Sequence, residues 1–406
     1  MLIDTHCHLI DDYIAPGEAP AVACGIRAGI IQRARNAGVG AIVVPCADPG
    51  DPPRVLALCE QYDNLFATVG IHPEFAGNLS PHQNTPHFDS PQGGSNLVLA
   101  CSESNECLTT PPLGGVGAGI APVGGQIVLN YEKYLSHPRV VGIGEIGLDY
   151  HYDSAFASNV ANAGREPPSR AAQIELFRAQ LEIACNAGLP VAIHTRDAES
   201  DTFEILKNFS ISAPSRLPPL GGECPRSGRG GASSKSNNIF KKDISNKDGS
   251  NEVAPPRLAM LATPPHRGPR ATGCVAWGGH EGGDVTEPRA IIPGVMHCYS
   301  SSWNLAKKML DRGFYFSASG IITFKNAEEL REIFRRLPID RIVIETDAPF
   351  LAPVPYRGKP AEPFMIAETA RVLADIRDIP LAELEQILME NTKRLYPKLV
   401  VGDSCW

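Results

Sequence analysis

The sequence predicts an α/β protein folded as a (β/α)8 TIM barrel, and three observations carry that prediction. Eight short apolar runs alternate with helical patterns, which is the signature of βα units and a parallel sheet. Two stretches rich in glycine and proline interrupt the series, and setting them aside leaves 275 of the 406 residues, close to the roughly 250 residues of such a barrel. Histidines and carboxylates then recur where the apolar runs end, the position at which barrels of this kind build their chemistry.

The first run is LIDT at 2–5, followed by a helical pattern over 21–37. The second and third are AIVVP at 41–45 and LFATVG at 65–70. The fourth is VVGIGE at 140–145, with a helical pattern over 170–187, and the fifth is PVAIH at 190–194, with one over 197–208. The sixth, IPGVMH at 292–297, precedes a helix at 302–311, and the seventh, FYFS at 314–317, precedes one at 326–337. The eighth is RIVIE at 341–345, after which helices are expected over 363–374 and 381–396. A doubly wound open sheet is the competing architecture, but the first run lacks GxGxxG, which weakens a dinucleotide-binding version.

Length alone would allow two or three domains. Glycine and proline number 38 and 36, and the excess is local. Residues 77–127 hold nine glycines and six prolines, while 211–290 hold twelve and ten. Neither stretch shows sustained apolar periodicity, and loops beyond about 15 residues are uncommon inside a compact domain. Both are therefore expected to be long low-complexity insertions, flexible or disordered, in one catalytic domain spanning 1–406. The first leaves directly after His72-Pro73, so it is expected at the active-site face. The second connects the helix after strand five to strand six, so it is expected at the opposite face.

The net charge is -8 with a pI near 5.8, which argues against a protein that coats nucleic acid through a basic face. No uncharged apolar run is long enough for a membrane span. The start MLIDTHCHLI lacks the basic and apolar regions of a signal peptide. The 11 cysteines form no CxxC pair, so neither a zinc ribbon nor a thioredoxin-like motif is supported. Reduced thiols in the cytoplasm are the expectation. Nothing in the sequence marks an obligate protein partner.

Five of the 11 histidines occupy strand ends. Strand one finishes in His6-Cys7-His8, strand three in His72, strand five in His194 and strand six in His297. Strand four ends in Glu145, and Asp347 follows strand eight. Residues i and i+2 of a strand share a side, so His6 and His8 can face one ion while Cys7 turns into the packing. One histidine alone is more often structural than a ligand, but six converging donors are not explained by packing. Six suit two divalent ions, with Glu145 as the bridge. His6, His8 and Asp347 would hold one ion, and His194 and His297 the other. Imidazole and carboxylate together leave Mg, Mn and Zn open. Asp347 is placed to accept a proton from the attacking water.

The segments DTHCHL, VGIHP, GEIGLDY, IHTRDA, MHCYSS, SGIITFKNA, ETDAPFLAPVPYRGK and ENTKRLY resemble the TatD family of metal-dependent deoxyribonucleases, in family order and across the whole 275-residue core. The resemblance implies a TIM barrel of the metal-dependent hydrolase type with a two-metal site at the six positions above. It also implies exodeoxyribonuclease-like hydrolysis of DNA ends or single strands in DNA catabolism, with a 3′–5′ direction and with RNA ends as further substrates. In the family a glutamate takes the place of the carboxylated lysine of other amidohydrolase-like barrels, and Glu145 is that residue here.

Phosphodiester chemistry also needs cationic contacts. His72 is a candidate for a substrate phosphate, as are Arg196 after His194 and Arg357 and Lys359 in the Tyr-Arg-Gly-Lys stretch, since guanidinium matches phosphate geometry and lysine acts as a point charge. The other reading of each cation is a solvated loop residue. Glu345, two residues before Asp347, is expected to orient ligands, and Asp149 and Tyr150 to shape the mouth. The competing function is an amidohydrolase-type enzyme cleaving a small amide, ester or lactone, because the same ligands can activate water against a carbonyl. A non-catalytic scaffold would have no physical need for six converging donors.

Overall fold

The computed structural model describes residues 1–79, 121–123, 126–129, 131–151, 167–211 and 290–400. Eight strands run parallel in the order in which they occur in the chain: β1 Leu2–Asp4, β2 Val39–Pro45, β3 Leu65–Val69, β4 Val140–Asp149, β5 Pro190–Arg196, β6 Ala290–Met296, β7 Tyr315–Ala318 and β8 Ile342–Ile344. Hydrogen bonds from Thr5 N to Ile344 O (3.1 Å) and from Asp347 N to His6 O (2.9 Å), with a parallel bridge between Cys7 and Ala348, join the last strand to the first. The fold is a (β/α)8 TIM barrel, as the alternation of apolar runs predicts.

Period-two alternation makes two cores from one set of strands. Ile3, Ala41, Val43, Phe66, Val141, Ala192, Val295, Tyr315 and Val343 fill the barrel interior together with Leu395, Tyr396 and Leu399. Their neighbours, including Leu2, Ile42, Val44, Leu65, Val140, Val191 and Phe316, face the helices. Apolar residues are therefore needed on both faces, which is why a strand such as β2 reads as an unbroken apolar run.

The helices are α1 Asp11–Ile14, α2 Pro20–Asn36, α3 Asp51–Gln61, α4 Arg170–Ala187, α5 Glu199–Leu206, α6 Trp303–Leu310, α7 Glu328–Arg336, α8 Ile366–Arg377 and α9 Leu381–Leu395. Helix α3 has no counterpart among the predicted helices. Its sequence begins Asp51-Pro52-Pro53, which reads as a break, yet proline at the first helical positions costs no hydrogen bond because those N–H groups have no intrahelical partner. Helix α8 starts at Ile366, after a single 3₁₀ turn over Pro363–Met365, and not at 363. None of the helices among the described residues is long and apolar enough to cross a membrane.

Strand β4 runs four residues beyond its predicted end, so Glu145 lies inside it and not at its tip. Gly147 makes this extension possible. It sits at φ 146°, and a Cβ there would lie 1.9 Å from the carbonyl oxygen of His194 on β5, a contact that only glycine avoids. The same backbone approach keeps β4 and β5 in register from Ile146–Ile193 to Asp149–Arg196.

Most of the two insertions lies outside the described residues. Of the first, Ala121–Val123 and Gln126–Val128 form a short antiparallel pair. Of the second, Ser210–Ile211 pairs with Ala290 and Ile291 at the start of β6, so the chain departs and returns at the N-terminal end of the barrel. The rest of the second insertion, residues 212–289, falls outside the described residues.

Candidate metal centre

The donors meet over the C-terminal ends of the strands. His6 and His8 follow β1, His72 follows β3, Glu145 and Asp149 lie on β4, His194 on β5, His297 follows β6, and Glu345 and Asp347 follow β8. All except His194 and Asp347 are buried. The six positions picked from the sequence are brought together.

Glu145 is the hub, and its two oxygens divide the histidines. Oε2 lies 3.3 Å from His6 Nε2 and 4.0 Å from His8 Nε2. Oε1 lies 2.9 Å from His194 Nδ1, 3.3 Å from His297 Nε2 and 3.8 Å from His72 Nε2. Asp347 Oδ1 closes the cluster, 3.8 Å from the Nε2 atoms of both His6 and His8 and 4.0 Å from that of His297. The ring of His6 stacks on that of His297 with centroids 3.7 Å apart. Donor atoms close enough to share a cation fall into the groups His6–His8–Glu145, Glu145–His194–His297, His6–His297–Asp347 and His72–Asp149–His194.

Three neighbours orient these donors. Glu345 Oε1 sits 3.0 Å from His297 Nδ1 and also accepts from Cys298 N (2.6 Å), so it fixes the ring whose Nε2 faces Glu145. Outer carboxylates on ligating imidazoles serve this purpose generally. Asp149 Oδ2 lies 2.9 Å from His194 Nε2, so both ring nitrogens of His194 face carboxylates. Asp4, fully buried beneath the site, accepts from Thr346 N (2.9 Å) and Thr346 Oγ1 (2.5 Å), tying the turn that carries Asp347 to β1. Burial pushes the Asp4 carboxyl up to about 7, against these hydrogen bonds.

Helix α4 supplies two buried glutamines that the sequence reading passes over. Gln180 accepts from Ile71 N (2.7 Å) and from the Tyr131 hydroxyl (3.0 Å), and donates to Ile71 O (2.9 Å). Gln173 accepts from Asp149 N (2.8 Å) and donates to Asp149 O (2.9 Å). Each clamps the backbone beside a cluster residue. Nothing local in the sequence marks these pairs, because Gln180 is 109 residues from Ile71. Gln180→Leu leaves both backbone groups of Ile71 unpaired in a dry setting, at about 1–3 kcal/mol for each such group. Chemical denaturation should therefore show a loss of about 3 kcal/mol, and a loss below about 0.5 kcal/mol would contradict the clamp.

Electrostatics match a site for positive charge. Burial opposes ionisation of Glu145, yet His297, His6 and His72 hold its carboxyl well below the usual range. Against the same desolvation, hydrogen bonds to Asp149 and Glu145 raise His194 to about 9, and Glu345 and Glu145 push His297 well above its ordinary value. Burial lowers His6, His8 and His72, helped by neighbouring imidazoles. Asp347 goes up strongly, through burial and then the nearby carboxylates Glu145 and Glu345. Glu145, Asp149 and Glu345 are thus held ionised beside the protonated rings of His194 and His297, and divalent cations would displace those protons on binding. The Nε2 atom of His6 is buried and makes no hydrogen bond, which fits a ligand atom directed at a cation.

Arg196, Arg357 and Lys359 are all exposed. The guanidinium of Arg357 lies 3.9 Å above the ring of Phe324 and donates to Ala352 O, so it bridges the loops after β7 and β8. His72, expected to contact substrate, is buried within the cluster with its ring edge-on to His194 at 4.6 Å. Tyr150 donates to Asp201 on α5 (2.6 Å), a rim contact. Cys7 is fully buried in the packing layer, as alternation along β1 predicts.

The sequence matches the family model described as TatD related DNase over residues 3–216 and 284–397. It is 26% identical over 398 residues to YabD of Bacillus subtilis (strain 168), described as an uncharacterized metal-dependent hydrolase, covering 98% of this chain and 99% of that one. It is 30% identical over 269 residues to YcfH of Escherichia coli (strain K12), described likewise, covering 66% of this chain and 67% of YcfH. The fold matches the crystal structure of YJJV, a TatD homologue from Escherichia coli K12, with a TM-score of 0.56 and 23% identity, covering 98% of each chain.

Proposed function

The chain belongs to the TatD-related DNase family and is a metal-dependent hydrolase, and from that premise we propose that it cleaves phosphodiester bonds of DNA from an end, in the 3′–5′ direction, with two divalent cations (Mg, Mn or Zn). The observation that carries this reading is the division of histidines between the two oxygens of Glu145. A carboxylate so placed suits the bridge between two cations. His6, His8 and Asp347 would hold one, and His194 and His297 the other, with Glu145 shared. Bound cations supply Lewis-acid stabilisation of phosphoryl oxygens and lower the pKa of water.

The chain's own groups do the rest. Asp347, the most accessible of the cluster carboxylates at 14%, accepts the proton of the attacking water at a carboxylate oxygen. Glu345 and Asp149 keep the rings of His297 and His194 in place while charge develops. Arg196 at the tip of β5 and Arg357 and Lys359 on the loop after β8, all exposed, meet the phosphates of the strand. RNA ends are further substrates of the same chemistry. Six cysteines among the described residues are free thiols, in keeping with a cytoplasmic setting.

The segment 217–283 lies outside both stretches matched by the family model, which supports its reading as an addition without a catalytic part. The direction of attack is tested with one oligonucleotide labelled separately at each end. A 3′–5′ exonuclease shortens the 5′-labelled strand through a ladder of products and releases label from the 3′-labelled strand as mononucleotide at once. Internal fragments from both would overturn the end-directed reading.

A further inference from the structure

We propose that Phe350 and Tyr13 form an aromatic wall that stacks a nucleobase of the substrate beside His8, an inference that rests on the phosphodiesterase reading above. Among the described residues Phe350 is the one aromatic side chain in the set of large exposed hydrophobics, at 49%. It stands in the turn that carries Asp347, its N–H donating to Asp347 O at 2.9 Å. Its ring lies 6.0 Å from that of His8 and 6.2 Å from that of Tyr13, edge-on to both. Tyr13 in turn stacks face to face on His8, with centroids 4.4 Å apart and planes 27° from parallel. Apolar ring surface therefore begins where the polar donors end.

The wall is held in place from below. Helix α1, which carries Tyr13, is anchored by an ion pair between Asp11 and the buried Arg27, whose Nε also donates to Leu9 O (2.8 Å). Past Phe350, Ala352 and Pro353 are buried and pack the loop down, and Val354 is 46% exposed. The Tyr13 ring, fixed this way, has paid its ordering entropy before any ligand arrives.

The occupant is set by chemistry. It must present a flat face to the wall and a phosphodiester to the donors about one ring-width away. A nucleobase on its sugar-phosphate does both, and stacking on an aromatic ring tolerates any base because each has a π face. A small aliphatic amide or lactone offers the wall no aromatic face to stack on.

The test compares wild type, Phe350→Ala and Phe350→Trp on thymidine dinucleotides, one intact and two with an abasic sugar at either end. Phe350→Ala is expected to raise KM for the intact dinucleotide roughly tenfold, in line with the loss of one base–aromatic stack, with kcat within about twofold. Phe350→Trp is expected to restore KM. On the abasic dinucleotide that lacks the stacked base, wild type and Phe350→Ala should be indistinguishable. Quenching of a 2-aminopurine dinucleotide by the Asp347→Asn protein, lost in the Phe350→Ala double variant, gives a readout independent of turnover. Equal KM for wild type and Phe350→Ala on the intact substrate, or an equal loss on both abasic substrates, overturns the wall as a base site. Failure of the wild type to cleave any of the three, with any metal, instead removes the phosphodiesterase reading and the base site with it.

Discussion

Asp347→Asn is expected to fold as the wild type does and to lose hydrolysis by about 10²–10⁴-fold, the range associated with a positioned proton acceptor. The fold should survive because the backbone does the structural work at this position. Asp347 N donates to His6 O and its carbonyl accepts from Phe350 N, and neither bond involves the side chain. The residue sits at φ 56°, in the left-handed region where asparagine is as comfortable as aspartate. The amide keeps the volume and one oxygen but cannot take a proton from water. An unchanged melting midpoint with lost activity is the expected pair of results. Unchanged activity would remove Asp347 as the acceptor.

The second large effect falls on Glu145, the proposed bridge. Glu145→Gln retains shape and removes the charge that both histidine groups share. Loss of an outer partner typically weakens metal binding 10–100-fold, so loss of the shared carboxylate should weaken it by about 100-fold or more. Equilibrium dialysis against Mn is expected to fall from two bound ions per chain in the wild type to one or none. Retention of two ions at unchanged affinity would exclude Glu145 as the bridge.

The sequence made the barrel legible because each strand is covered on both faces. A run such as AIVVP has Ala41 and Val43 inside the barrel and Ile42 and Val44 under the helices, so no polar residue interrupts it. Helix α3 was hidden because Pro52 and Pro53 carry the signature of a break while standing at a helix start, where proline is tolerated. The end of β4 was hidden for a related reason: the glycines of Gly-Glu-Ile-Gly look like punctuation, whereas Gly147 allows the strand to press against β5.

At the site, the donors were legible because i and i+2 spacing and strand-end position are local properties. Their supports were less so. The role of Glu345 could be anticipated from its spacing to Asp347, but its partner His297 is on a different strand. Asp149 reads as a mouth residue and instead holds His194. Asp4, Gln173 and Gln180 act through partners 24 to 342 residues away, distances at which a single sequence offers no pattern to find.

Metal-dependent attack on a phosphodiester is tested with protein stripped of metal by EDTA and then given Mg, Mn or Zn. End-labelled single-stranded DNA is offered in parallel with small amide, ester and lactone substrates. The stripped protein is expected to leave DNA intact and to release nucleotides once a divalent ion is restored. Hydrolysis of the carbonyl substrates with DNA left intact under every metal would contradict it.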